Sequence, residues 1–380
     1  MPQYNYLRWK IRETSERLRT AKRLERLRDQ LDGCIPAKDA EDNLLLATWN
    51  VRDFGKTLKQ RRGWGARLPE SWFYIAEILS RFDFVAVQEV SGIPEWQQVM
   101  DILGPNWDYI ATDETDPKIG GNGERMVFLF DRRKVRFQKI AGEIVLPPNL
   151  LISRATLSTE GKEVTGGKQF RRTPFMASFQ SGWLKFDICT VHIYYGSTSG
   201  GELEERVNEI EMIAKYLSSR ADRALGVDRA LFILGDFNIV SPEHKTMKAL
   251  TDNGFTIPRP LRDKPSTPTA KHYDQIGFKT KPEVLSYAER TSNNPLECNA
   301  GVVEVFSRLF MPSHFGDYRD FVKANTSKGK NAATDQELKK VYREWRTYQI
   351  SDHYPMWVRL QTDSSGDYLA QLIRNLENKN

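Results

Sequence analysis

Residues 229–239 read RALFILGDFNI, an apolar run that ends in a carboxylate and an amide. Every position from Ala230 to Leu234 is apolar, which predicts a strand that is buried on both faces. Such a strand lies in a sheet that other layers cover on each side. Asp236 and Asn238 then place polar groups at the end of that strand. The stretch therefore predicts a layered α/β fold with polar side chains at one edge of a sheet.

Similar apolar runs recur along the chain, and several of them are also apolar on both faces. They are LLLA (44–47), FVAVQEV (84–90), RMVFLFD (125–131), FMASFQ (175–180), WLKFDICTVHI (183–193), DQIGF (274–278) and PMWVRLQ (355–361). Residues 72–82 and 201–223 have helical periodicity instead. The order mixes strand–helix crossovers with strands that follow each other directly. This predicts stacked mixed sheets with helices outside, and a single parallel sheet fits less well.

The N-terminal region is predicted to be helical. Residues 4–31 lack Pro and Gly, and apolar residues recur three and four positions apart, which predicts one amphipathic helix ended by Asp32-Gly33. Residues 1–32 contain nine basic and five acidic side chains, so we treat them as a separate basic helix. Three interpretations stay open: packing on its own domain, binding a protein partner or a second copy, or lying along a phosphate backbone.

The rest of the chain divides into a main domain and two attachments. We expect the catalytic domain to span residues 41–362. A polar segment at 311–350 interrupts its strand pattern, and we expect that segment to be an insertion, partly mobile and partly helical near Asp335 to Trp345. Residues 363–380 are expected to form a short tail helix.

Composition limits the function classes. The formal net charge of +6 permits a polyanionic substrate without requiring one, because most of the excess lies in residues 1–32. No apolar run approaches the roughly 18 residues of a membrane span, and no signal peptide is apparent, so we expect a cytoplasmic protein without a span. The three cysteines, Cys34, Cys189 and Cys298, lie far apart, which favours neither disulfides nor a thiolate metal site.

Polar residues recur at the borders of the apolar strands. They are Asn50, Glu89, His192, Asp236, Asn238, Asp352 and His353. Each one alone is typical of a strand cap or a turn, but together they include two of the five histidines and predict one polar cleft. Carboxylates gathered in a cleft need a cation, and Mg²⁺ or Mn²⁺ suits oxygen ligands better than Zn²⁺ does. With imidazoles beside it, such a site is suited to phosphoester hydrolysis.

Six motifs occur in an order that resembles a known family. They are TWNVRDFG (48–55), VQEV (87–90), TVHI (190–193), LGDFN (234–238), YDQI (273–276) and SDHYP (351–355). Together they resemble the DNase I-like members of the endonuclease/exonuclease/phosphatase superfamily. The resemblance runs from about Leu44 to Leu360 and implies a four-layer sandwich. Two mixed β-sheets would pack face to face between outer helices, with the cleft at one edge of the sheets.

The resemblance also implies roles for the polar residues that hold the metal and the water. Glu89 is implied as the principal metal ligand, with Asn50 nearby and Asp352 also at the metal. Asp236 and Asn238 are implied to orient the attacking water and to hold the scissile phosphate. These two residues lie in the motif LGDFN.

Two histidines are implied to share acid and base catalysis, namely His192 and His353. In the DNase I-like enzymes a carboxylate orients each of these imidazoles. Glu124 matches the partner of His192, and Asp274 matches the partner of His353. Such a carboxylate fixes the tautomer of the ring and raises its basicity.

Arginines are implied to contact the substrate phosphates. Arg52 and Arg172 match these positions, with Arg171 as the alternative if the register slips by one residue. The basic loops KTLKQRRGWGAR (56–67) and GGKQFRRT (166–173) are expected to line the cleft. Such loops favour a nucleic acid, because arginine binds phosphates without reading bases.

The sequence therefore predicts a Mg²⁺- or Mn²⁺-dependent DNase I-like endonuclease. It would hydrolyse DNA phosphodiesters by direct attack of water and leave 5′-phosphates, with RNA as the alternative nucleic acid. A second alternative is a phosphatase or phosphodiesterase of the same superfamily that acts on inositol phosphates or sphingomyelin. A third is a non-catalytic module that binds nucleic acid or a partner.

Overall fold

The strands form two mixed sheets and a separate hairpin. The structure is a computed structural model that describes residues 1–39, 41–114, 123–159, 162–224, 229–281, 284–285, 287–290 and 292–378, without the side chains of residues 153–167 and 223–224. Its strands are β1 Asn43–Phe54, β2 Phe84–Val90, β3 Trp107–Ala111, β4 Arg125–Asp131, β5 Arg136–Glu143, β6 Ser153–Thr159, β7 Lys162–Lys168, β8 Phe175–Ser181, β9 Leu184–His192, β10 Ala230–Asp236, β11 Asp274–Lys279, β12 Ala300–Val302 and β13 Met356–Gln361.

Both sheets contain parallel and antiparallel pairs. Six strands form the first sheet in the order β12-β13-β1-β2-β4-β3, and five form the second in the order β11-β10-β9-β8-β5. The β1–β2 and β9–β10 pairs are parallel, and their other neighbours are antiparallel. Strands β6 and β7 pair only with each other. This confirms the predicted mixed sheets.

Alternate residues of the central strands face two different cores. In β1, Leu44 and Leu46 lie in the core between the sheets, whereas Leu45, Ala47 and Trp49 lie in an outer core. Successive side chains of a strand point to opposite faces, so a strand that is apolar at every position fits between two apolar layers. Aromatic residues fill much of the space between the sheets: Phe84, Phe128, Phe175, Phe179, Phe186, Phe232 and Phe278.

The structure describes eleven helices besides the 3₁₀ turns. They are α1 Leu7–Lys10, α2 Thr14–Cys34, α3 Pro69–Leu79, α4 Ile93–Leu103, α5 Gly200–Ala224, α6 Lys245–Thr251, α7 Arg259–Asp263, α8 Phe315–Asn325, α9 Ser327–Lys330, α10 Asp335–Gln349 and α11 Ser365–Glu377. Apolar residues of α2, α3, α4, α8 and α10 share one core with the first sheet. Helices α5 and α6 share another core with the second sheet. The order of layers is helices, sheet, sheet, helices, which confirms the predicted four-layer sandwich.

The prediction of one continuous helix over residues 4–31 is wrong. A 3₁₀ turn at Tyr4–Tyr6 and α1 precede a break, and α2 then continues to Cys34. Extended backbone at Ile11 and Glu13 separates the two helices, and the Ile11 side chain is buried in the core. The leucines of α2 that face inward are buried against the first sheet's outer layer. Of the three interpretations, the structure shows packing on the same chain, which removes this apolar face from self-association.

The segment 311–350 is largely helical, beyond the helix predicted near Asp335 to Trp345. Helices α8, α9 and α10 account for most of it, and the predicted helix at Asp335–Trp345 corresponds to α10. Its Tyr318, Tyr342 and Trp345 are buried in the same core as α2 and α3. The tail forms α11, of which no residue is buried. None of the described helices is both long and apolar enough to cross a lipid bilayer. The division of the chain into residues 1–32, 41–362 and 363–380 stays a prediction.

Candidate active site

Three polar residues lie side by side at one edge of the second sheet. Asp236 of β10 is opposite His192 of β9 on one side and opposite Asp274 of β11 on the other. All three continue the inward-facing positions of their strands, so they point into the space between the sheets. Gly235 has a φ of +127°, and a Cβ there would lie 2.2 Å from the carbonyl oxygen of Val191. Glycine at this position therefore lets β10 lie close to β9.

Residues of the first sheet meet this row. Asn50, near the end of β1, donates from Nδ2 to Oε1 of Glu89 at 2.9 Å and to Oδ2 of Asp236 at 3.1 Å. Its Oδ1 accepts the backbone N–H of Arg52 at 3.0 Å. Glu89 Oε2 accepts the backbone N–H of Asp53 at 2.8 Å. Asn50 thus connects a carboxylate of the first sheet with one of the second.

Two histidine–carboxylate pairs flank Asp236. Nδ1 of His192 lies 2.5 Å from Oε1 of Glu124, and Nδ1 of His353 lies 2.7 Å from Oδ2 of Asp274. The structure therefore brings together both pairs that the sequence resemblance implied. The opposite ring nitrogens face one oxygen: Asp236 Oδ2 lies 3.5 Å from Nε2 of His192 and 3.7 Å from Nε2 of His353. All five side chains are buried.

Charge around the two imidazoles favours their protonated forms. Burial acts to lower the pKa of both histidines, and Arg172 acts in the same direction on His192. Glu124 and Asp236 outweigh these effects and raise the pKa of His192. The charges of Asp274 and Asp236 hold the pKa of His353 well above its ordinary value. Each imidazole can therefore hold a proton beside a carboxylate that fixes its tautomer.

Asn238 completes the surroundings of Asp236. Its backbone is left-handed, with φ +54°, and its N–H donates to Asp236 Oδ1 at 2.9 Å. Its side-chain Nδ2 donates to the carbonyl oxygen of Ile193 at 2.7 Å. A left-handed asparagine is uncommon outside turns and persists where its surroundings fix it. The GDFN turn thus holds both of its polar side chains against β9.

Arg52 and Asp352 form an ion pair at this edge of the sheets. Arg52 Nη1 lies 2.9 Å from Asp352 Oδ2 and also donates to Oγ1 of Thr347. The guanidinium carbon lies 3.8 Å from the centre of the Tyr348 ring. Burial raises the pKa of Asp352, although Arg52 acts to lower it. The structure therefore places the predicted metal ligand Asp352 beside the predicted phosphate contact Arg52.

Of the two candidate arginines in FRRT, only Arg172 lies at the site. Its Nε lies 2.6 Å from Glu124 Oε1, and its Nη1 donates to the carbonyl oxygen of His192 at 3.4 Å. Arg171 instead donates to Glu205 at 2.8 Å, and its guanidinium lies 4.0 Å from the Tyr194 ring centre. The structure therefore places Arg172, and not Arg171, against Glu124 and His192.

Part of the loop at 56–67 differs from its prediction as a basic wall of the cleft, whereas Lys59 and Arg62 are exposed. Arg61 and Trp64 are buried, and Arg61 Nη2 donates to the carbonyl oxygen of Tyr348 at 2.7 Å. Trp64 stacks on the Tyr348 ring with centroids 4.9 Å apart. Arg67 Nη2 donates to the carbonyl oxygen of Arg52 at 2.6 Å. These side chains bind the loop to α10 and to the end of β1, so they are not free to contact a substrate.

The acidic and imidazole groups of the site include two clusters that could hold a metal ion. One consists of Glu89, Glu124 and His192, and the other of Asp236, Asp274 and His353. Burial acts to raise the pKa of Glu89, but the charge of His192 and hydrogen bonds from Asn50 and Asp53 lower it to about 2. Glu89 is therefore ionised at neutral pH. A set rich in carboxylate oxygens fits Mg²⁺ or Mn²⁺.

The sequence reasoning missed a buried bridge beneath the site. Gln88 of β2 donates from Nε2 to Oγ1 of Thr190 in β9 at 2.9 Å and to Oγ1 of Thr48 in β1 at 3.1 Å. Thr48 lies two positions before Asn50, and Thr190 lies two positions before His192. Gln88 directly precedes Glu89. All three side chains lie on the inward faces of their strands. Polar residues at every second position of an otherwise apolar strand were the signal that could have found them.

Two further residues that were missed hold the backbone of His353. Ser351 Oγ donates to the carbonyl oxygen of Asn50 at 2.6 Å and accepts the N–H of His353 at 2.9 Å. Trp49 donates from Nε1 to the carbonyl oxygen of His353 at 3.0 Å. Ser351 is the first residue of the SDHYP motif, whereas nothing in the sequence indicated the contact of Trp49.

Paired imidazoles around a carboxylate, beside acidic residues and arginines, define a site of the phosphoester-hydrolysing class. The chain belongs to the Endonuclease/Exonuclease/phosphatase family, whose sequence profile matches residues 47–281. Membership assigns phosphoester hydrolysis to the chain as its class of chemistry.

Individual proteins also resemble the chain. A curated deoxyribonuclease from Thioalkalivibrio sp. (strain K90mix) is 27% identical over 208 residues, which are 53% of this chain and 48% of that protein. This chain thus spans about half the length of the curated relative that it matches. A solved endonuclease/exonuclease/phosphatase family protein from Bacteroides thetaiotaomicron is 16% identical, with 85% of this chain and 99% of that chain covered and a TM-score of 0.48. A mannosyl-6-phosphatase from Bacteroides thetaiotaomicron VPI-5482 is 16% identical, with 83% and 99% covered and a TM-score of 0.48.

Proposed function

We propose that this protein is a divalent-metal-dependent endonuclease that hydrolyses DNA phosphodiester bonds and leaves 5′-phosphates. One observation carries the catalytic part of the proposal: Asp236 Oδ2 lies 3.5 and 3.7 Å from Nε2 of His192 and His353. Each imidazole is held at its other nitrogen by a buried carboxylate. Three titratable groups therefore converge at one edge of the sheets, and all three can act on the same bound water and phosphate.

The reaction that we propose is a single displacement at phosphorus. A water oxygen forms the new bond to phosphorus, the bond from phosphorus to the 3′ oxygen breaks, and the 3′ oxygen leaves with a proton. Asp236 and Asn238 orient the attacking water and hold the scissile phosphate. His192 and His353 share the removal of the water proton and the protonation of the leaving oxygen.

Glu89 is the principal residue that would hold the metal ion, with Asn50 and Asp352 beside it. When bound, Mg²⁺ supplies neutralisation of the charge on the phosphate oxygens. Mn²⁺ suits the same oxygen ligands. Arg52 and Arg172 add fixed positive charge near these residues, and arginine forms strong paired hydrogen bonds to phosphate oxygens.

One observation favours DNA as the substrate: the curated relative is a deoxyribonuclease. The formal net charge of this chain, +6, permits association with a polyanion. A nucleic-acid duplex also offers a repeated phosphate that Arg52 and Arg172 can contact without reading the bases.

The test is cleavage of supercoiled plasmid in EDTA, Mg²⁺ and Mn²⁺, with Asp236→Asn prepared identically as the control. We expect nicking with metal only, its loss in the variant, and products whose 5′ ends are substrates for ligation. Ligation that requires prior phosphorylation would contradict the proposed direction of bond cleavage. If RNA alone were cut, or only inositol phosphates or sphingomyelin were hydrolysed, DNA would be the wrong substrate.

A further inference from the structure

The backbone that carries Arg52 is held in an unfavourable conformation. Arg52 and Asp53 both have left-handed backbones, with φ of +36° and +49°. Residues other than glycine adopt the left-handed backbone region at a cost in free energy, and they remain there where neighbouring groups fix them. Arg67 provides one such contact, since its Nη2 donates to the carbonyl oxygens of Val51 at 3.1 Å and Arg52 at 2.6 Å.

A stack of side chains holds the guanidinium of Arg52 from the other side. The Tyr348 ring lies under the guanidinium at 3.8 Å, and the Trp64 ring stacks behind it at 4.9 Å with an interplanar angle of 14°. Lys328 Nζ lies 4.9 Å from the centre of the Trp64 ring. A cation over an aromatic face is attracted by its electron density, and the effect is larger where water is excluded. We call these four residues the Arg52 stack.

The Arg52 stack joins the active site to helices that lie outside the family match. Tyr348 and Thr347 belong to α10, whose Trp345 is fully buried in the core. The sequence profile of the family ends at residue 281, so α8, α9 and α10 follow it. Arg52, the predicted phosphate contact, lies within the matched region. The residues of α10 that hold it lie outside that region.

We propose that Tyr348 is a positioning residue that fixes the guanidinium of Arg52 for contact with the substrate phosphate. The inference rests on the proposed function, because it assumes that Arg52 binds a phosphate of the nucleic acid. A tyrosine ring at this place limits the rotamers of a long, flexible side chain, so less conformational freedom is lost when the phosphate binds. Helices α8 to α10 thereby determine how the site engages its substrate.

The first readout is binding of a fluorescent DNA duplex in EDTA, which does not depend on cleavage. We expect Tyr348→Leu to weaken binding about tenfold, as the loss of one charged hydrogen-bonding contact does. The slope of log affinity against log salt should become less steep by about one phosphate contact. Tyr348→Phe keeps the stacked ring and should bind as the wild type does. In the cleavage assay, Tyr348→Leu should raise KM and leave kcat unchanged.

A double-mutant cycle separates positioning from general damage. In an Arg52→Ala background, Tyr348→Leu should have no further effect on affinity or salt slope, because the group that it positions is gone. Tyr342→Leu is the matched control, since Tyr342 lies on the same helix and packs on Phe315 and Tyr318 instead. It should lower thermal stability and leave the salt slope unchanged.

The outcomes distinguish this inference from the proposed function. A wild-type protein that cleaves, with Tyr348→Leu equal to it in affinity, KM and salt slope, overturns the inference alone. The inference alone is also overturned if Tyr348→Leu weakens binding equally in the wild-type and Arg52→Ala backgrounds. A wild-type protein that binds DNA in the predicted way but never cleaves it overturns the proposed function alone. Absence of both binding and cleavage overturns both.

Discussion

At His192, one carboxylate serves two cations, because Glu124 lies against both the imidazole and the guanidinium of Arg172. At His353, the carboxylate of Asp274 lies against the imidazole in a pair of similar length. An arginine cannot lose its proton in a protein, whereas an imidazole can. Arg172 therefore acts against the charge on His192, while the pKa of His353 is held well above its ordinary value. Similar geometry thus produces two electrostatically different histidines.

The largest expected effect comes from Asp236, which both histidines face. Asp236→Asn removes the charge between them, so we expect turnover to fall by about 10²–10⁴-fold, the usual range for a positioned acid or base. His192→Ala and His353→Ala should have effects of similar size. Plasmid cleavage measures the loss, and thermal unfolding serves as the control for folding. Near-normal turnover in all three variants would contradict a catalytic role for Asp236 and for the two histidine–carboxylate pairs.

Substitution of Glu124 and Asp274, the carboxylates that pair with the two histidines, tests the electrostatic difference between the histidines most directly. Glu124→Gln and Asp274→Asn should each lower kcat about 10–100-fold, since the group that orients an imidazole is lost. Glu124→Gln should also destabilise the fold by about 3–5 kcal/mol, because it leaves a buried guanidinium without its carboxylate. Asp274→Asn should cost less stability, since His353 can lose its proton instead.

Urea unfolding of both variants checks this second effect. Arg172→Met combined with Glu124→Gln is the matched control, because it removes the unpaired charge and should recover part of the lost stability. Equal stability loss in the two single variants would contradict the electrostatic difference between the pairs.

The His192 side also contains a second buried carboxyl group. Glu209 of α5 accepts the backbone N–H of Arg171 at 3.1 Å, and burial raises its pKa from 4.5 to about 7. Between these values the folded protein binds a proton that the unfolded chain has released, so stability falls as pH rises through this range. From pH 5 to pH 8 the loss should be about 2.5 kcal/mol.

Glu209→Gln removes the titrating group and should abolish this part of the pH dependence in urea unfolding. Glu205→Gln on the same helix is the control. Burial acts to raise the pKa of Glu205, but hydrogen bonds from Arg171 and Lys168 lower it. An unchanged slope of stability against pH in Glu209→Gln would show that Glu209 is ionised throughout.

The smallest effect is expected at Arg171, which pairs with the partly exposed Glu205. Arg171→Ala should change stability by less than about 1 kcal/mol, as partly exposed ion pairs usually do, and leave turnover unchanged. Arg172→Ala should instead lower turnover and stability. Equal effects of the two substitutions on cleavage would contradict the placement of Arg172 alone beside His192.

Much of the fold and of the site could be predicted, because the alternation of side chains along the strands indicates both. The apolar residues of β10 predicted a strand covered on both faces, and Asp236 continues the inward face of that strand. The ends of β1 and β9 repeat this pattern with Asn50 and His192. Residues that share a face and an edge of packed sheets must lie close together, so their convergence follows from the alternation. Glu89 is an exception, because it follows the inward-facing Gln88 and has a left-handed backbone, with φ +63°, where the pairing of β2 with β4 shifts.

Other features depend on contacts that no local pattern records. The cations Arg61 and Arg67 resembled a solvated basic loop, yet their donors are satisfied by backbone oxygens of distant residues. The break in the N-terminal helix reflects burial of Ile11 and contradicts its local helical periodicity. Strands β3, β5, β6, β7 and β12 were not predicted. Strand β5 is mostly exposed, so it lacks the continuous apolar run that identified the predicted strands.

The pairing of β1 with β13 has a consequence for the timing of activity. The last strand of the first sheet lies beside the first, and 301 residues separate Ser351 from its hydrogen-bond partner Asn50. During synthesis, the residues around Asp236 leave the ribosome long before His353 does. A nascent chain therefore contains only one of the two imidazoles, and the central strand β1 still has an unpaired edge. A phosphoesterase built in this order has a complete active site only after the segment that contains His353 has been synthesised and β13 has paired with β1.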